Sequence, residues 1–466
     1  MRSGHERAGR RLRLPTIKVG LLASVLALAA TTPARAQSRL TDQVIPLDTT
    51  LTHRPAPPIE LGARFLDTGP LFGGFELPTG AVWQPSFIVF GTARTAVQTF
   101  DDGIDDRVSE WANQLSVFGN LQLSGTERLV IGFRPLDNDG RIGSYFGQRF
   151  EPRSKFHDSL YGDFTTLFFE GDFSQIFPRL DPHDYYALDY GFSVGRQPLL
   201  MQDGLLLNDT VDSFGLIRNT ILSRIFPPLR VTGYVGWNYI HRNNNQLDDS
   251  ANLVAFDASA DDYRLGTIDL DGAYLEASSK TGSGAYGAAS VTNRLVLMGR
   301  SFNVTFRANG SYAINRQTPE TSSGVLLFSE ISRTPNHTSN FAYLDSFLGI
   351  EHFSSVARAP DAGGPLGKVG ILYEALGMNR YGSALENQTA PDSVGLSGGY
   401  QMFFDGTRRQ LIIEAGGRTH QSAMALGGRL QQALGSHFVL QFDSFVAGHE
   451  YQAVGYGARS EMMIKF

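Results

Sequence analysis

The sequence predicts an all-β chain closed into a single transmembrane antiparallel up-and-down β-barrel, and three observations carry that prediction. An apolar residue recurs at every second position in segment after segment, glycine and aromatics are abundant, and no run beyond the N-terminus is long enough for a spanning helix. A strand turns successive side chains to opposite faces, so this rhythm marks a sheet with one greasy and one wet side. The 51 Gly, 32 Phe and 17 Tyr fit, and so does the slightly negative mean hydropathy of −0.15. Only half of each spanning strand meets lipid, so the average resembles that of a globular domain.

At the start of the chain, Arg2, Arg7, Arg10, Arg11, Arg13 and Lys18 precede an apolar run from Val19 to Ala30, and Ala34-Arg35-Ala36 precede Gln37. That is the pattern of a secretory signal peptide over residues 1–36. Those residues hold seven basic groups and one acid, so the full counts of 40 and 46 become 33 and 45, a formal charge near −12. Such a balance argues against a nucleic-acid partner. The absence of cysteine fits an exported chain without disulfides and removes thiolate metal sites and Cys nucleophiles. Residues 37–80, with Pro55, Pro57, Pro58, Pro70 and Pro78, predict an irregular leader that hangs free or folds into the lumen as a partial plug. Residues 81–466 form the predicted barrel.

Alternating segments begin near 86, 110, 128, 163, 185, 211, 229, 263, 285, 301, 324, 340, 368, 394, 409, 422, 438 and 452. Each is close to the ~9–11 residues that a tilted strand needs to cross, giving about eighteen strands, within a range of 16–18. In 301–315, Phe302, Val304, Phe306, Ala308, Tyr312 and Ile314 oppose Asn303, Thr305, Arg307, Asn309, Ser311 and Asn315. The final segment sets Val454, Tyr456, Ala458, Met462, Ile464 and Phe466 against Arg459, Glu461 and Lys465. Barrels of this kind have short turns at one end and longer loops at the other. Counting back from the last strand places Ser124-Gly125-Thr126, Phe226-Pro227-Pro228, Asp405-Gly406-Thr407 and Gly435-Ser436 at the short-turn end. The connections 136–161, 198–210, 242–262 and 377–393 then fall at the loop end. Residues 285–300 and 354–367 fit that parity worst. Trp111, Trp237, Tyr239, Tyr274, Tyr400 and Tyr456 are candidates for aromatic girdles.

A barrel this wide leaves an aqueous channel, whereas a narrow one is filled by its own side chains. Parity turns Arg94, Arg128, Arg134, Arg307, Arg418, Arg429 and Arg459 inward, together with Glu170, Asp172, Asp345, Glu351, Glu414, Asp443 and Glu461. Rings of fixed charge set selectivity, but charges of both signs also pair and brace the wall, and the sequence leaves both readings open. The apolar Leu205-Leu206-Leu207 lies between polar turns, so this connection is expected to fold inward and narrow the pore, with Asp203, Asn208 and Asp209 as constriction candidates.

The terminal aromatic Phe466 resembles the sorting signal of Gram-negative outer-membrane barrels. That resemblance implies an outer-membrane location, a lipid surround and engagement of the barrel assembly machinery by the last strand. Gly195-Arg196-Gln197 followed by Asp203-Gly204 resembles the alginate-export type of outer-membrane porin. The Arg expected soon after Asp-Gly is Leu205, and a Trp expected further on is missing around Asp212-Ser213-Phe214. The resemblance implies a channel without cofactor or enzymatic activity that passes polar solutes, oligosaccharides or anionic saccharides among them. It says nothing of oligomeric state.

Two motifs suggest catalysis instead. Gly395-Leu396-Ser397-Gly398-Gly399 matches G-x-S-x-G, but its Ser lies inside an alternating segment with no helix after it. His337 and Ser339 with Asn340 are similar to the pair used by outer-membrane phospholipases, although Phe341 stands where that family has Gly. An esterase or phospholipase, and a plugged structural or adhesive barrel, are the alternatives to a channel. With ten scattered His and no H-E-x-x-H or dense Asp loop, no metal site is expected.

Overall fold

The computed structural model describes residues 57–62, 73–101, 106–137, 145–183, 187–222, 228–262, 264–360, 393–448 and 453–466, with Gly103, Ala362 and Glu450. The predicted signal peptide and most of the predicted leader lie outside them. Eighteen antiparallel strand positions close into a barrel. They are β1 (Ser86–Asp101), β2 (Val108–Gln122), β3 (Arg128–Phe133, continued by Phe146–Glu151) and β4 (Lys155–His157, continued by Phe164–Asp172). Next come β5 (Gly191–Met201), β6 (Leu207–Ile221), β7 (Leu229–Asn238), β8 (Asn252–Asp262), β9 (Gly266–Glu276) and β10 (Gly284–Leu297). The rest are β11 (Arg300–Ala313), β12 (Gly324–Arg333), β13 (Phe341–Glu351), β14 (Val394–Phe404), β15 (Arg409–Arg418), β16 (Ala423–Leu434), β17 (Phe438–Gly448) and β18 (Gly455–Lys465). Neighbours in sequence pair in order, and β18 returns to pair with β1 from Tyr456 opposite Asp101 to Lys465 opposite Thr92. Closure satisfies every ladder without a free edge, which a bilayer demands.

The alternation sorts as the chemistry requires. Along β17, Phe438, Phe442 and Val446 are exposed while Gln441 and Asp443 are buried, and β18 repeats this with Tyr456 and Met462 against Arg459 and Glu461. Outward apolar side chains such as Val254, Phe256, Leu270, Leu396, Ile413 and Leu426 form a belt whose natural solvent is hydrocarbon. Trp111, Trp237, Tyr274, Tyr400 and Tyr456 stand exposed on it. Tyr239 instead lies in the connection after β7, its ring 3.6 Å beneath the Arg196 guanidinium. Phe442→Arg on this belt is expected to destabilise the barrel by about 2–4 kcal/mol. Reversible urea unfolding in lipid vesicles measures this.

One strand differs from expectation. Residues 252–262, predicted as an outer connection, form β8, paired with β7 and β9 along its length. Its inward face begins with the buried apolar Leu253 and Ala255 and turns polar only from Asp257, so the usual alternation shows over part of the strand. The strand predicted near 368 falls outside the described residues, and the sheet has no place for it, because β13 pairs directly with β14 (Leu348 opposite Val394). With β8 counted, the described strands number eighteen, and the direction expected for β9 to β13 is reversed. The tight Met298-Gly299 turn therefore lies at the short-turn end, and the connection that begins at residue 352 lies at the loop end.

The leader also joins the sheet. Residues Ile59–Gly62 pair antiparallel with β1, Ile59 opposite Val89 and Gly62 opposite Ser86. Phe466 exchanges backbone hydrogen bonds with Gly91 at 2.8 and 3.1 Å, so the leader strand takes over the edge of β1 where the last strand stops. Nearby, a small hairpin (Phe75–Glu76 with Val82–Trp83) is tied to the turn between β4 and β5 by Arg179, which pairs with Glu76 at 2.7 Å.

Candidate functional site

The inward charges on one side of the barrel form a single ladder. Register sets Arg429, Asp443 and Arg459 directly opposite one another on β16, β17 and β18. Arg429 and Arg459 each donate Nε to Asp443, at 2.7 and 2.9 Å. Arg459 also lies 3.4 Å from Glu461, which accepts from Arg94 Nε and Nη2 at 2.6 and 2.9 Å. Arg94 Nη1 donates to Gln114, and Gln114 to Asp137, both at 3.1 Å. Alternating sign lets each charge satisfy two neighbours in a setting where an unpaired one would be costly. Further round, Arg128 pairs with Glu170 on β3 and β4, and this pair is wet, with side chains 43% and 33% exposed. Among these residues the geometry shows that most of the charges are held by each other.

Other inward candidates are dispersed. Glu414 accepts from Tyr343 and, at 3.3 Å, from Ser397, while Arg418 is buried near the loop end of β15. Asp172 caps the short helix Phe173–Ile176 through Ser174 N, at the short-turn end. Arg134 lines a cavity of about 70 Å³ with Asp209, His241 and Tyr239.

The β5–β6 hairpin enters the lumen. Gln202, Asp203 and Gly204 all have positive φ, and this left-handed turn throws the tip toward the opposite wall. There Gln202 donates to Asp271 on β9 at 2.5 Å, and Asp203 pairs with Arg307 on β11. Leu199, Met201, Leu205, Leu206 and Leu207 explain the direction. They are buried against Leu253, Leu275, Leu326, Phe328 and Phe347 of the inner wall, each worth roughly 1.5–3 kcal/mol relative to water. Arg196 stays on the outward side, bidentate to Asp212 at 2.8 and 3.0 Å.

Two further segments moor the hairpin. Asp209 accepts from His241 N at 2.7 Å and contacts its Nδ1 at 2.9 Å, which fastens the connection between β7 and β8. In that connection Arg242 is buried and donates to Asp248 and the Gly282 carbonyl, both at 2.9 Å, and to Thr321 at 3.1 Å. Burial alone would raise the Asp248 carboxyl, but hydrogen bonds from Ser250, Thr281 and Arg242 outweigh it and hold it below the ordinary range. The Asp248 carboxylate is therefore ionised at neutral pH. The second mooring is a strap over residues 352–360, with Ala362 beyond it. Ala357 and Arg358 run parallel to Leu207 and Asn208, and Ala359 N donates to the Asn208 carbonyl at 2.8 Å. Arg358, 1% exposed, donates to the Gly204 carbonyl at 2.7 Å and the Ala362 carbonyl at 2.8 Å. Burial pushes its guanidinium down to about 9, so it keeps its charge at neutral pH.

Sequence reasoning missed the strap, Arg242, Arg358 and Asp271. The strap was assigned to the short-turn end by the reversed parity, and the signal that marks it is the small, unsolvated run Ser354-Ser355-Val356-Ala357. The catalytic motifs find no support in the geometry. Ser397 sits within β14, and His337 and Ser339 are exposed in a turn whose Asn340 bonds to Phe403 N at 2.9 Å and Tyr400 at 3.2 Å.

No family model and no curated protein sequence matches the chain. Solved structures do match in fold. The Pseudomonas aeruginosa outer membrane protein OpdK is 10% identical with a TM-score of 0.53, covering 81% of this chain and 98% of its own. OpdK with vanillate is 11% identical at a TM-score of 0.53, covering 81% and 98%. OccK2 (OpdF) from the same organism, in complex with glucuronate, is 7% identical at 0.56, covering 82% and 98%. At such identities the likeness establishes the closed barrel and its plan.

Proposed function

We propose that the chain is an outer-membrane channel that passes small polar solutes by diffusion, with small anionic saccharides as the favoured class. The observation that carries this reading is an inner wall lined by charged side chains, of which the Arg128 and Glu170 pair is water-exposed, with the β5–β6 hairpin reaching across the lumen toward β9 and β11. The fold neighbours solved with glucuronate and vanillate, both carboxylates, support the solute class. The alginate-export likeness rests on Gly195-Arg196-Gln197 and Asp203-Gly204 alone. Purified protein in planar bilayers is expected to give discrete conductance steps, and silence across salts and voltages would end the reading.

The outer-membrane lipid and the barrel assembly machinery are the partners of the same proposal. The machinery would engage β18 and Phe466, whose backbone closes on Gly91. Deleting Phe466 is expected to reduce the fraction of heat-modifiable, assembled barrel in outer membranes. Normal assembly of the deletion variant would remove Phe466 from that role.

A further inference from the structure

Beneath the hairpin tip, five polar atoms are buried without a hydrogen-bond partner: Nη1 of Arg307, Nδ2 and Oδ1 of Asn309, Oε1 of Gln202 and Oδ1 of Asp271. They belong together. Register sets Asp271 and Asn309 in one row across Ala288, and Arg307 lies on the same inward face of β11 as Asn309, two residues away. Gln202 and Asp203 descend from the tip and bond to Asp271 and Arg307. Each orphaned polar group costs about 1–3 kcal/mol, so a cluster of donors and acceptors at this contact is arranged for something other than the bare protein.

The pair at its centre is lopsided. A guanidinium offers parallel N–H groups to a carboxylate, but Asp203 takes only Nη2 and leaves Nη1 open. The Asp203 side chain is 41% exposed on a turn, whereas Arg307 is 3% exposed on a barrel strand. The acid is the movable partner and the base the fixed one. We propose that Asp203 is a resident stand-in for a solute carboxylate, which displaces it from Arg307 and so releases the hairpin tip from the wall. The inference rests on the channel reading above. The incoming carboxylate takes Nη1 and Nη2 together, where Asp203 takes one, and Asn309 and Asp271 receive the solute's hydroxyls. Asp269 and Asp271 face the same space, so the site favours one negative charge over two. The ligand class is a small polyhydroxy monocarboxylate, and binding and opening use the same atoms.

The test uses the full mature chain in planar bilayers, with sodium gluconate as probe and sorbitol as its uncharged counterpart. In the wild type, gluconate is expected to raise the occupancy of a larger conductance state and sorbitol to leave it unchanged. Asp203→Asn is expected to occupy that state about tenfold more without solute, and to lose the response to gluconate. Asn309→Ala is expected to need roughly fivefold more gluconate to reach the same occupancy, the loss of one hydrogen bond of about 1 kcal/mol. Heat-modifiable migration confirms that each variant is folded. Equal block of wild type and Asp203→Asn by gluconate, or an unchanged response in Asp203→Asn, overturns the latch. If the wild type carries no current the channel reading falls, and calorimetry of gluconate with the purified barrel then decides the site. Binding that weakens in Asn309→Ala sustains it, and no binding overturns it.

Discussion

Replacing Asp443 by Ala is expected to destabilise the barrel by about 3–5 kcal/mol, because it leaves two buried guanidinium groups facing each other across the space the carboxylate filled. Arg429 and Arg459 each bond to a different oxygen of Asp443, and Gln441 adds a third donor at 2.8 Å. Asp443→Asn keeps the shape but removes the charge, so its loss should fall between the wild type and the Ala variant. Replacing all three together, with Arg429→Met, Asp443→Leu and Arg459→Met, should recover most of the deficit, since a buried ion triad contributes little beyond an apolar set of similar volume. Reversible unfolding in lipid vesicles measures each step. A single Ala variant as stable as the wild type would mean that lumen water, and not the paired acid, solvates the two arginines. The ladder then would not brace the wall.

Arg358→Ala is the second change with a large expected effect. The guanidinium ties the strap to the hairpin through the carbonyls of Gly204 and Ala362, and charge-assisted bonds of this sort contribute about 1.5–3 kcal/mol each. Its loss leaves the Gly204 carbonyl without that donor at the turn that aims the tip. The strap should then become susceptible to protease at the loop end, and single-channel conductance should rise and fluctuate. Arg358→Lys supplies charge without the fork and should rescue only in part. Unchanged proteolysis and conductance in the Ala variant would show that Leu206 and Val356, joined by a 2.8 Å backbone bond, suffice to hold the strap.

Much of the wall was legible in the sequence because lipid imposes its rule at every second position. Where that rule acts against a wet lumen, as at Phe442 and Asp443, alternation reveals both faces. It failed at β8 for a definite reason. Leu253 and Ala255 pack in the same buried cluster as the hairpin leucines, so packing inside the barrel erased the polar side of the pattern over the first half of the strand. The pairing partners of the charges were not legible either. Arg94 meets Glu461 across 367 positions of sequence, and only closure of the barrel brings them together. The inward hairpin left a trace in Leu205-Leu206-Leu207, three apolar residues in a connection that ought to be solvated. Arg358 left none, because a lone basic residue in a small-residue run reads as solvated until its carbonyl partners are known.

The arrangement of the leader has a mechanical corollary. Residues Ile59–Gly62 and β18 lie end to end along one margin of β1, so a segment from early in the chain and the last strand clasp the same strand, like the two sliders of a zip meeting on one tape. Pulling on the N-terminal side of this segment in a force experiment is expected to peel Ile59–Gly62 from β1 before β1 itself gives way. A barrel trimmed of that segment would expose the backbone of Ser86 to Val89 at the seam, and rupture would begin there.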